Sequence, residues 1–181
     1  YNSAIIGSNG LMSFEVVNAT GGCDWEFTDL CPSPNLHVNS IFGVYHDIDP
    51  AVCGDASYAI LGTSPCRVFV VNFNDICQYS CNSITSSSQI VIYETTNVIE
   101  VYVQDKPTCG VWNNGNAVIG IQDASGTSGF VAPGRQTGPW SASNEAWRFT
   151  PDGVPNFEVE WFDDQGSIGT GTTVSVCPGE A

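Results

Sequence analysis

Apolar and polar positions alternate with a period of two along most of this chain, the pattern of strands with one face buried. From Ser86 to Cys109 the run SSSQIVIYETTNVIEVYVQDKPTC sets two stretches rich in Ile, Val and Tyr on either side of Thr96 and Asn97. This predicts a β-hairpin with a two-residue turn. With Thr95 opposite Val98, Ile90, Ile92, Ile99, Val101 and Val103 share one face, and Val91, Tyr93, Glu100 and Tyr102 share the other. The first face is core. The second is mixed, so it is expected to be covered only in part, by a second sheet or by a partner.

Further strands follow the same reading. Ala4 to Ile6 and Leu11 to Val17 flank Gly7-Ser8-Asn9-Gly10, a turn of residues that accept positive φ. Ser40 to Tyr45 runs into an acidic corner, and Tyr58, Ile60 and Leu61 open a short hairpin bracketed by Cys53 and Cys66. Arg67 to Phe73, RVFVVNF, is almost continuously apolar and predicts a central strand buried on both faces. Ala117 to Ile121 adds one more strand, and Asn18 to Asn39 reads as a loop. Residues 151–156 read as a linker, after which Phe157, Val159 and Trp161, then Val174 and Val176, form a last hairpin ending at Cys177. At about 25 residues that hairpin cannot build its own core. The expected fold is all-β, a disulfide-stapled antiparallel β-sandwich over residues 1–150 with a C-terminal β-hairpin over 157–181.

Charge narrows the partners. Nineteen acidic residues against four basic ones give a net charge of -15 over 181 residues, which excludes nucleic acid and anionic membrane surfaces as partners. No apolar run approaches the roughly 20 residues that span a bilayer, so membrane insertion is not expected. Eight cysteines point to an oxidising, extracellular setting, because no CxxC or His-x-His spacing supports structural zinc. The expected bridges are Cys23 with Cys31, Cys53 with Cys66, and Cys81 with Cys109, with Cys77 as the alternative to Cys81 in the third. Cys77 and Cys177 are left to pair with each other or with another chain.

Candidate chemistry is sparse. Asp47 and Asp49 point the same way on an extended strand and are the candidate calcium ligands, with Asp55 or Asp75 to complete a site. The competing reading is a strand exit that caps its own turn. As a glycosidase pair they fail, because hydrolysis needs carboxyls facing across a cleft from different elements. His37 and His46 are the only histidines, and neither has a nucleophile motif beside it, so no catalysis is expected. Trp112, with Asn113, Asn114 and Asn116, and Trp140, near Arg135, are candidate glycan-stacking residues, whereas Trp147 and Trp161 read as core anchors.

The series GSNGLMSF, IFGVYHDIDP, RVFVVNFNDI, QIVIYETTNVIEVYVQDKPTC, NAVIGIQ and NEAWRFTPDG resembles, in order and spacing, a nidogen-like domain of large surface proteins from gliding, type IX-secreting bacteria. The tail, VEWFDDQGSIGTGTTVSVCP, resembles the opening of an Ig-like or PKD-type repeat. The resemblance implies a non-catalytic β-sandwich module of a cell-surface adhesin or matrix protein, with no required cofactor. It also implies a strand before Tyr1 that this sequence does not carry. Both ends are therefore expected to leave strand edges that neighbouring copies, or other surface proteins, fill to build a fibre.

Overall fold

A computed structural model describes residues 1–18 and 23–152, together with the backbone of strands at 159–163 and 166–171. In chain order the strands are β1 (Ile5–Gly7), β2 (Leu11–Ser13), β3 (Ser40–Tyr45), β4 (Ile48–Asp49), β5 (Asp55–Leu61), β6 (Val68–Gln78) and β7 (Cys81–Tyr93). They continue as β8 (Ile99–Lys106), β9 (Asn116–Gln122), β10 (Gly129–Val131), β11 (Gly138–Pro139), β12 (Ala142–Phe149), β13 (Val159–Asp163) and β14 (Gly166–Gly171). One six-stranded sheet runs β1-β2-β3-β9-β10, with β11 also on β9, and the other runs β12-β8-β7-β6-β4, with β5 also on β6. Every pairing is antiparallel, so the expected all-β class holds.

The two sheets meet face to face. Met12 and Ile41 of the first sheet pack on Val71, Phe73, Ile76 and Ile90 of the second, and Val44 and Ile119 pack on Val101 and Val103. The first sheet is covered on its other face as well. There Phe27, Cys31 and Leu36 of the loop 23–39 lie on Leu11, Phe42, Tyr45 and Val118. That double cover explains why all six residues of β3 are buried. The covering loop has no strand of its own, so its backbone groups need side-chain partners. Gln122 supplies them by accepting from Ser33 N at 2.9 Å and donating to Ser33 O at 3.1 Å and His37 O at 2.8 Å. Gln136 accepts from Cys31 N at 2.8 Å and donates to Cys31 O at 2.7 Å.

The β7–β8 hairpin keeps the expected faces with a different register. Ile92 lies opposite Ile99 and Ile90 opposite Val101, which leaves a four-residue loop, Glu94 to Asn97. Relative to the expected pairing of Thr95 with Val98 the shift is two residues, and an even shift leaves each side chain on its own face. The loop is longer because Glu94 is engaged elsewhere, accepting from Arg67 Nε at 2.9 Å and Arg67 Nη2 at 2.5 Å. β6 also departs from expectation. Val71 and Phe73 are core, but Val70 and Asn72 on the opposite face are half-buried, and among the described residues no third layer covers them.

Two disulfides are described, Cys53–Cys77 and Cys81–Cys109, and Cys66 is disulfide-bonded as well. The expected Cys53–Cys66 bridge is not formed. β5 and β6 are joined by the turn holding Cys66, so Cys53 stands a full strand away, roughly 20 Å at 3.3 Å per residue, beyond the Cα spacing a disulfide tolerates. Pairing of Asp55 with Asn74 instead brings Cys53 beside Cys77, with Cα atoms 5.3 Å apart. Cys77 is thereby unavailable to Cys177, which lies outside the described residues. Cys23 and Cys31 are free thiols, contrary to the expected pair. They face different partners, Cys31 Sγ reaching Gln122 Oε1 at 3.8 Å and Cys23 Sγ lying 4.0 Å from His37 Nε2. In the tail β13 pairs with β14. The expected return strand at Val174 and Val176 and the side chain of Trp161 lie outside the described residues.

Candidate functional site

The acidic corner after β3 is built from three consecutive roles. His46 is buried and held neutral, its pKa pushed well below the usual range by burial and by the nearby Lys106 charge. Asp47 Oδ2 accepts the Trp112 indole N–H at 2.6 Å. Burial raises the Asp47 pKa, the Trp112 bond opposes that, and the Asp49 charge adds to it. Asp49 Oδ1 accepts from Ala51 N at 3.0 Å, a turn cap. The two carboxylates thus have separate partners. Asp75 accepts from Ser87 Oγ at 3.1 Å. Among the described residues no group of three or more His, Cys, Asp or Glu side chains is arranged to hold a metal ion.

Both candidate tryptophans are half-buried and engaged by neighbouring side chains. Trp140 donates to Ala117 O at 2.9 Å, with Lys106 Nζ 4.5 Å and Arg135 Cζ 5.0 Å from its ring. The ring is therefore occupied by cation–π contacts. Trp112 is tied to Asp47 and tilted against Tyr79, with ring centroids 5.0 Å apart. Trp147 packs against the Val101 and Val103 core, in its expected role. Trp25 and Tyr79, both exposed beside this corner, carry no periodic signal and were invisible in the sequence.

Cys23 and His37 are the described thiol and imidazole in closest company, and their chemistry runs opposite to a catalytic dyad. Burial pushes the Cys23 thiol up to about 11 and lowers the His37 pKa. Both are neutral near pH 7, whereas a nucleophilic cysteine needs its thiolate stabilised.

Among the described strands β1 pairs with β2 alone, and its other edge stands between two cavities. On the loop side, a cavity of about 660 Å³ is lined by Ile5, Ile6, Leu11, Cys23, Leu36 and His37 among others. On the other side, one of about 730 Å³ is lined by Ile6, Met12, Phe14, Tyr58, Phe69 and Ile92 among others. The second arises because β5 extends beyond β1. Tyr58 and Ile60 share a face with Val71 and Phe69, the core-facing side, yet are 67 % and 60 % exposed. The second sheet therefore overhangs the last strand of the first.

The outward face of the second sheet carries a polar row. Asn72 lies opposite Gln89, Gln89 opposite Tyr102, and Tyr102 opposite Ala146. In the adjacent row Glu100 is buried, accepting on Oε2 from Tyr102 Oη at 2.5 Å and Tyr93 Oη at 2.7 Å, and on Oε1 from Arg148 Nε at 2.7 Å. Burial alone would raise the Glu100 pKa. The two tyrosines and Arg148 outweigh it and hold the carboxylate ionised.

A family model described as NIDO related matches residues 1–151. No curated protein and no solved structure gives a match.

Proposed function

This chain belongs to the NIDO-related family, and on that premise we propose that it is a non-catalytic extracellular module that builds a surface assembly by accepting strands from neighbouring subunits. The setting that its motifs resemble is a bacterial cell-surface adhesin or matrix protein, whose partners are further copies of the chain or other surface proteins. Disulfides suit an oxidising compartment, and the role requires no cofactor.

The observation that carries the reading is the overhang at β1. A strand added there would satisfy the unpaired backbone groups of that edge. Its alternate side chains would enter the two cavities, and on one side they would cover Tyr58 and Ile60. Burying such side chains is worth about 1.5–3 kcal/mol each. Light scattering over a concentration series, at a salt level that screens the charge of -15, tests this directly. Association is expected for the native chain and loss of it for Tyr58→Lys with Ile60→Lys, which changes exposed positions only. A native chain that stays monomeric throughout, or a variant that associates as well as the native chain, would refute strand addition.

Glycan binding is the second reading. It is favoured by the polar row on the outward face of the second sheet, which sits beside a cavity of about 360 Å³.

A further inference from the structure

We propose that this outward face binds a neutral glycan, with the Tyr102 ring as the stacking surface and the amides of Asn72, Gln89, Gln104 and Asn144 as its hydrogen-bonding partners. The inference deepens the glycan-binding reading and rests on it; strand addition at β1 is independent of it. The cavity is lined by Asn72, Ser87, Gln89, Tyr102, Gln104 and Asn144 among others, and its size falls within the range of small-ligand sites.

The chemistry of the lining is unusual for this chain. Carboxylates dominate its charge, with 19 Asp and Glu in all, yet the groove is lined with primary amides and hydroxyls. Each of these groups both donates and accepts, as a sugar hydroxyl does. Glu145, the carboxylate at the rim, is bonded to Arg135 and to the Trp147 indole. The net charge of -15 repels sialylated and uronate glycans and leaves neutral ones as ligands.

The surface is also pre-organised. The Tyr102 hydroxyl is fixed by Glu100, which Tyr93 and Arg148 hold in turn, so the ring has one orientation while remaining 39 % exposed. Gln89 Nε2 donates to Asn72 Oδ1 at 3.0 Å, which sets both amides and leaves the Asn72 N–H₂ and the Gln89 oxygen with further capacity. Ala146, directly opposite Tyr102, is small enough to leave the ring edge open. Neighbouring strands stand about 4.8 Å apart, so amides on β6, β7 and β8 meet successive groups of an extended saccharide. Ordering these side chains in advance lowers the entropy cost of binding.

An array of neutral, sialylated and uronate oligosaccharides, followed by titration calorimetry with the neutral saccharide bound best, tests the site. Tyr102→Ala and Gln89→Ala should each weaken binding on the order of tenfold or more. Tyr102→Phe keeps the ring but loses the Glu100 bond and should fall between Tyr102→Ala and the native chain. Trp112→Ala should bind as the native chain does. Circular dichroism and thermal melts of each variant establish that it is folded. Binding abolished by Trp112→Ala and untouched by Tyr102→Ala would overturn this site while sparing the glycan reading. Silence across the whole array, or binding confined to acidic glycans, would overturn both.

Discussion

The two sheets approach closely at Gly43, and a double-mutant cycle there tests the packing that positions both surfaces. A Cβ on Gly43 would lie 2.7 Å from Ile90 Cγ1, 2.9 Å from Ile90 Cδ1 and 3.0 Å from Gly10 O. Ile90 is fully buried, so its side chain cannot swing into solvent to make room. Forcing a methyl group into such a core costs about 1–3 kcal/mol. Replacing Gly by Ala within a strand returns roughly 0.5–1 kcal/mol of backbone entropy, so a net loss of about 1–2 kcal/mol is expected for Gly43→Ala. Ile90→Ala should cost about 2–5 kcal/mol as a cavity. In the double variant the new methyl occupies part of that cavity, and the loss should fall below the sum of the two by about 1–3 kcal/mol. Urea unfolding with disulfides intact measures all four corners of the cycle. Additivity within about 0.5 kcal/mol would refute the direct contact between the sheets.

Gln122→Leu removes the partner of Ser33 N, Ser33 O and His37 O, so a loss on the order of 3 kcal/mol is expected, with faster amide exchange confined to the loop 23–39. Equal exchange in the native and Leu chains would refute that docking. Burial and the Lys106 charge hold His46 neutral when folded, while the unfolded chain takes up a proton near pH 6.5. The unfolded state then binds more protons, so this contribution is complete above pH about 6.5 and is lost as pH falls, by at most about 1.4 kcal/mol per pH unit. His37, lowered chiefly by burial, adds in the same direction. Urea midpoints between pH about 7 and 5.5 should fall less steeply for His46→Gln than for the native chain, and an unchanged slope would refute the assignment.

What could be read in advance was whatever depends on a period of two. Alternation at Ile90, Ile92, Val101 and Val103 sufficed to place the core face of β7 and β8, and Tyr93, Glu100 and Tyr102 on a face that is only partly covered. The register was not legible, because the length of the turn depends on Arg67 and on Thr95 Oγ1 bonding Pro65 O at 2.6 Å, contacts with a neighbouring turn. Cys81 with Cys109 pairs as expected, whereas the pairing of Cys53 was not legible, for a related reason. Local spacing favours Cys53 with Cys66, whereas the length of β5 carries them to opposite ends of one hairpin. Phe27, Cys31 and Leu36 follow no period, so nothing announced that the loop 23–39 covers a sheet. Trp140 looked available because the cations at its ring come from Lys106, on another strand, and from Arg135, across a turn.

Its cationic side chains number four, and each has a partner. Arg67 is paired with Glu94, Arg135 with Glu145, and Arg148 with Glu100, while Lys106 is buried and donates to Trp140 O at 2.6 Å. Trypsin-like proteases read these side chains at their cleavage sites. Engaged in this way, the four cations become fully available to such enzymes only when the fold opens, so tryptic cleavage is expected to be slower for the native chain than for the urea-unfolded one.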